Sequence, residues 1–159
     1  MANINSTQYK NVYVDDPAKV LHGGEYFGRL RRAVAEISTG SATSGDTYTL
    51  LKLPRNAMLH NVKVYNAAVT GETDLDVGDE NDVDGLFDGI DISSAGSKEL
   101  VADGGTNGYD PQTDSAKKLW EVLGYSKETD APENVKVIAT SSGNAADVNV
   151  AFVFEYVVD

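Results

Sequence analysis

No cysteine occurs in this chain, so neither a disulfide framework nor a thiolate-bound metal is available to it. Histidine is nearly as scarce. His22 and His60 are the two, and nucleophilic catalysis needs such a base beside a Ser, Cys or Thr. His22 sits before Gly23-Gly24, and His60 alternates with apolar residues, where a half-buried structural histidine is the plainer reading than a catalyst. There is no Gly-x-Ser-x-Gly elbow and no Gly-x-x-x-x-Gly-Lys phosphate loop. A glycosidase needs only two carboxylates, but with 25 acids in the chain no pair singles itself out. A non-enzyme is therefore expected. Long apolar runs are also missing: none approaches the ~20 residues that span a bilayer. Met1 to Gln8 is mostly polar, with no charged region leading into an apolar core. Neither a membrane segment nor a secretory signal is expected, and synthesis in the cytoplasm is.

Positive charge is in short supply. Thirteen bases face 25 acids, for a net charge of −12. Residues 1–65 hold eight bases and five acids, whereas residues 66–159 hold five bases and twenty acids. So acidic a surface repels nucleic acid. The cluster Arg29, Arg31, Arg32 is the exception. It suits an acidic partner, although charges that guard a strand edge against aggregation are the commoner use of such a group.

What the sequence does contain is β pattern. Val148, Val150, Phe152, Phe154, Tyr156 and Val158 form a period-2 apolar row at the C-terminal end, the mark of a strand face pressed into a core. A terminal strand of this quality needs neighbours on both sides, since a bare edge invites aggregation. Val135 to Thr140 pairs with it in a closing hairpin on this reading. Asp46 to Leu53 is a strand with Tyr48 and Leu50 inward, ended by Pro54. Met58 to Tyr65 puts Met58, Val62 and Val64 on one face with His60 in register. Thr73, Leu75 and Val77 alternate up to Gly78, and residues 86–92 offer a weaker strand. Tyr26 to Ser38 fits helix and strand alike, and the β character elsewhere favours strand. Residues 93–114 read as a long polar surface loop. Asp114 or Ser115 caps one short helix through Leu119, Trp120 and Leu123, stopped by Gly124, with Trp120 and Tyr125 as anchors. The resulting expectation is an all-β, antiparallel sandwich at residues 25–159, with an extended arm at residues 1–24 and at most one short helix.

From Gly71 to Asp91 run nine acids and no base. Within that run Glu80, Asp82 and Asp84, followed by Gly85 and then Asp91, imitate the alternating oxygens and turn glycine of a calcium loop. The imitation is imperfect, because the first position is Glu, the last is the short Asp, and flanking helices are missing. A hydrated acidic loop is the plainer reading, with a bound Ca²⁺ as the alternative.

Three segments carry a resemblance. They are Leu51-Lys-Leu-Pro54-Arg-Asn-Ala-Met58-Leu59, Thr73-Asp-Leu-Asp-Val77-Gly78-Asp79 with Asp82-Val-Asp84-Gly85, and Leu119-Trp120-Glu-Val-Leu123-Gly124. In this order, from about residue 26 onward, they resemble the small jelly-roll capsid decoration or cement proteins of tailed bacteriophages. The resemblance implies a jelly-roll sandwich in a virion structural protein. It implies binding to the major capsid protein on the outside of a phage head, stabilisation of subunit contacts there, self-association as a dimer or trimer, and synthesis in the host cytoplasm. It implies no catalytic residue and no cofactor. A tail, neck or fibre-base component fits the same composition. So does a carbohydrate-binding jelly roll that stacks sugars on Tyr109, Trp120 and Tyr125.

Overall fold

A computed structural model of the chain describes residues 29–38, 43–68, 74–99, 109–143 and 149–158. The expected arm, residues 1–24, lies outside them, as does His22. Eight strands are present among the described residues: β1 (Arg31–Ser38), β2 (Thr47–Pro54), β3 (Ala57–Asn66), β4 (Asp74–Gly78), β5 (Phe87–Asp91), β6 (Gly96–Glu99), β7 (Asn134–Ser141) and β8 (Asn149–Val158). They form two four-stranded sheets, ordered β1-β8-β3-β6 and β2-β7-β4-β5.

The pairing has a simple logic. β1 pairs β8, β2 pairs β7, β3 pairs β6 and β4 pairs β5, all antiparallel. The chain is thus one long hairpin with its fold point between β4 and β5. Rolling that hairpin up brings β8 against β3 and β7 against β4. This is the jelly roll. β8 is flanked by β1 and β3, so the terminal strand has its two neighbours. The closing hairpin, however, is not formed. β7 and β8 lie in opposite sheets, because a rolled hairpin sends consecutive strands to alternate sheets everywhere but at its fold point, where β4 pairs β5.

Parity decides which side chains fill the space between the sheets. Val150, Phe152 and Phe154 are buried on the inner face of β8, with the two rings 6.4 Å apart. Val62 and Val64 join them from β3, while Leu75 and Val77 of β4 and Val135, Val137 and Ala139 of β7 face them. Burial of each large apolar side chain contributes roughly 1.5–3 kcal/mol. β8 is buried on its other face too: Val153 and Val157 are covered, as is Met58, the register partner of Val157.

Three local departures from the sequence expectations have physical causes. A bulge between Leu59 and Asn61 breaks the β3 ladder and turns His60 out to solvent, away from the core register. The expected loop at 93–114 contains β6, whose Gly-Ser-Lys-Glu run has no apolar alternation. Backbone pairing to β3 and a Lys63–Glu99 ion pair at 2.5 Å hold it. The single expected helix is two one-turn pieces, α1 (Pro111–Asp114) and α2 (Leu119–Val122). Lys118 is the residue that caps α2, its N–H donating to Glu121 Oε2 at 2.8 Å. Gly124, at φ 74°, ends the turn as expected.

Candidate interaction surfaces

The β4–β5 connection is where the sequence most resembled a ligand site. Val77, inward and fully buried, brings the chain to Gly78 at the sandwich rim. A Cβ at Gly78 would stand 1.9 Å from the Asp82 carbonyl oxygen, so only glycine lets the turn close. Asp79 then folds its carboxylate back over the turn. Its Oδ1 accepts the N–H groups of Asn81 and Asp82, both at 2.9 Å, and its Oδ2 accepts the Tyr125 hydroxyl at 2.5 Å. Asn81 Nδ2 donates to the Tyr125 oxygen at 2.7 Å, and the Asp79 N–H donates to the Asp82 carbonyl at 2.8 Å. This is an Asx turn with a tyrosine lock. Burial and the bond to Asp79 push the Tyr125 hydroxyl pKa up.

The four carboxylates of the calcium-like pattern fall in three settings, with Asp82 and Asp84 together. Glu80 accepts from Lys136 Nζ at 2.7 Å, and that contact holds its pKa down. Asp82 is raised, first by its side-chain hydrogen bond with Asp84, then by burial and by the charges of Asp84 and Asp79. Asp91 sits at the end of β5, where it accepts the Ser93 N–H at 2.8 Å and faces Lys98 at 3.6 Å. Among the described residues no three His, Cys, Asp or Glu side chains are grouped to share an ion.

Two of the three aromatic residues of the sugar-binding alternative, Tyr109 and Tyr125, hold the fold together through their hydroxyls. Tyr109 is fully buried, its hydroxyl donates to the Leu59 carbonyl at 2.7 Å, and burial raises its pKa to about 12. Its ring lies 6.4 Å from that of Phe87. Tyr125 is the lock just described. Trp120 is half-buried, its backbone N–H bound to the Arg55 carbonyl at 3.1 Å.

Two surfaces have the character of contact regions. The first is the basic start of β1. Arg29, Arg31 and Arg32 are exposed there, beside exposed Leu30 and Val34. Arg55, Lys63, Lys98, Lys117 and Lys136 each hold an acid; those three arginines hold none among the described residues. The second is an open groove of about 660 Å³ across the other end of the same sheet, lined by Glu36, Tyr65, Asn66, Gly96, Asn149 and Ala151. Its floor is set by Asn66, a buried amide that sequence pattern did not single out. Asn66 Nδ2 donates to the carbonyls of Ala67, Ile92 and Ser94 at 2.9, 2.8 and 2.9 Å, pinning the β5–β6 connection to β3.

No protein-family model matches the sequence. No curated protein matches it either. Solved structures do. A chain in the cyanophage Pam1 capsid asymmetric unit matches with a TM-score of 0.60 at 22% identity, covering 100% of each chain. A chain in the capsid of Ralstonia phage GP4 matches with a TM-score of 0.51 at 17% identity, covering 83% of this chain and 86% of that one. The chain therefore has the fold of proteins found in phage capsid structures.

Proposed function

We propose that this chain is a virion structural protein that binds the outer surface of a phage head and cements contacts between major capsid protein subunits. The observation that carries the reading is the fold match to the Pam1 capsid chain, which covers 100% of each chain. The physics agrees. A preformed sandwich with a doubly flanked terminal strand is a rigid clamp, and many weak identical contacts on a symmetric lattice sum to strong avidity. The acidic surface turns away from packaged DNA. Self-association as a dimer or trimer belongs to the same reading, since it matches the local symmetry of such a lattice.

The test is made on purified heads. The protein is expected in stoichiometric amount on intact heads, and heads stripped of it are expected to rupture at a lower temperature, with recovery when it is added back. Equal rupture temperatures with and without the protein would overturn the cementing role. A copy number of a handful per particle would move it to the tail or neck.

A further inference from the structure

The two edges of this sandwich carry opposite charge. β1 and β2 lie against each other on one edge. β5 and β6 lie together on the opposite edge, where Lys98 of β6 reaches Asp91 of β5. The β1 edge bears Arg29, Arg31 and Arg32, with Leu30 and Val34 exposed by 57% and 51%.

The opposite edge is acidic. Asp74 and Asp91 stand directly across from each other in the β4–β5 ladder. Like charges in that relation repel, and at Asp91 the Ser93 hydrogen bonds and Lys98 offset the repulsion and hold the pKa down. Burial raises the Asp76 pKa against the Gly89 N–H that bonds its carboxylate, and the charges of Asp88, Asp84 and Asp74 lie close enough to add to the rise. At its rim Val83 is exposed by 42%. The two edges thus differ in the sign of their net charge: Leu30 and Val34 lie among the three arginines on one, with Glu36 further along β1, and Val83 lies at the rim of the other, where Lys98 stands beside the acids. Like charges concentrated on one edge cost stability in the isolated chain and are relieved when a positive surface docks.

We infer that the β1 edge of one subunit docks on the β4–β5 edge of a second copy of this chain, Arg29, Arg31 and Arg32 meeting Asp74, Asp84, Asp88 and Asp91. The occupant is a second copy because one chain supplies both complementary halves. A contact between different edges is heterologous, so it repeats from subunit to subunit, as a ring where the rotation closes and as an open array where it does not. The inference rests on the self-association included in the proposed function and names its surface.

The experiment measures the mass of the full chain in solution, without heads, by analytical ultracentrifugation over a range of concentration and salt. The wild type is expected to associate, less so as salt rises. Arg31→Glu/Arg32→Glu and Asp84→Lys/Asp88→Lys are each expected to weaken association by about tenfold or more. The chain carrying all four changes is expected to regain it, because the charges are then exchanged between edges. A wild type that stays monomeric overturns the inference. So do reversal variants that associate as the wild type does, or a folded fourfold variant that fails to regain association. The neutral pair Arg31→Gln/Arg32→Gln covers a reversal that does not fold: it must also weaken association, and the inference fails if it does not. Head rupture temperature is read separately, so loss of the edge contact and loss of cementing are distinguishable.

Discussion

The Tyr125 hydroxyl donates to Asp79 Oδ2 at 2.5 Å, joining the segment after α2 to the β4–β5 turn across 46 positions of sequence. The carboxylate is buried and would otherwise be short of one partner. Replacement by phenylalanine keeps the ring and removes the donor. Tyr125→Phe is expected to lower unfolding stability by about 1–3 kcal/mol, read from the denaturant midpoint. Asp79→Ala is expected to cost more, because it also frees the N–H groups of Asn81 and Asp82. Equal midpoints for Tyr125→Phe and wild type would show that the turn holds without its lock.

Gly78 makes a sharper test of the same turn. A methyl group there has to displace the Asp82 carbonyl, which lies 1.9 Å from the Cβ position. Overpacking against backbone costs about 1–3 kcal/mol or more. Gly78→Ala is therefore expected to be among the most destabilising alanine substitutions in the chain. Gly124→Ala meets no atom within 4 Å and suffers only from its φ of 74°, a strain of roughly 1–2 kcal/mol. The thermal midpoint of Gly78→Ala should fall below that of Gly124→Ala.

The acidic edge gives a pH prediction with a definite sign. Asp82 has its folded pKa raised above 3.8 by Asp84, burial and Asp79. A carboxyl that binds its proton more tightly when folded favours the folded state while protonated, so its contribution to stability falls as pH rises through that window. Asp82→Asn is accordingly expected to raise the thermal midpoint at neutral pH, with the gain vanishing below about pH 4. Glu80 behaves oppositely. Its pKa is held down by Lys136, so Glu80→Gln should lose stability at neutral pH and lose none in acid. Midpoints of both variants across the pH range decide the matter: parallel curves would contradict both signs.

The parts of the fold readable in the sequence are those whose burial follows one strand face. Phe152 and Phe154 in β8, and Leu75 and Val77 in β4, announce their strands by alternation alone. β6 could not be read, because Ser97, Lys98 and Glu99 are an exposed or half-exposed edge held by backbone pairing. Alternation shows that β7 and β8 are strands but says nothing of which sheet each joins. His60 needed knowledge of a bulge. The acidic run looked like a ligand set because its spacing is that of alternate oxygens. Side-chain geometry spends Asp79 on its own turn and Glu80 on Lys136, partners 2 to 56 positions away that spacing does not encode. Asn66 was silent for the same reason, and Tyr109 suggested a sugar platform, since their bonds reach Ile92 and Leu59.

Asn66 shows how much one such partner can hold. Its amide serves two carbonyls on the stretch that carries β5 into β6, those of Ile92 and Ser94, and the adjoining carbonyl of Ala67. Asn66→Ala leaves the buried Ile92 carbonyl unserved and two part-buried ones weakened, a loss of about 1–3 kcal/mol. Asn66→Asp is expected to be worse, because a carboxylate offers no donor and sets a negative charge against carbonyl oxygens. The effect should be local as well as global: β6 is a four-residue edge strand, so its backbone amides should exchange hydrogen faster in Asn66→Ala than those of β3, measured by native-state exchange. Uniform loss of protection across both sheets would instead mean that β6 opens only when the whole sandwich does.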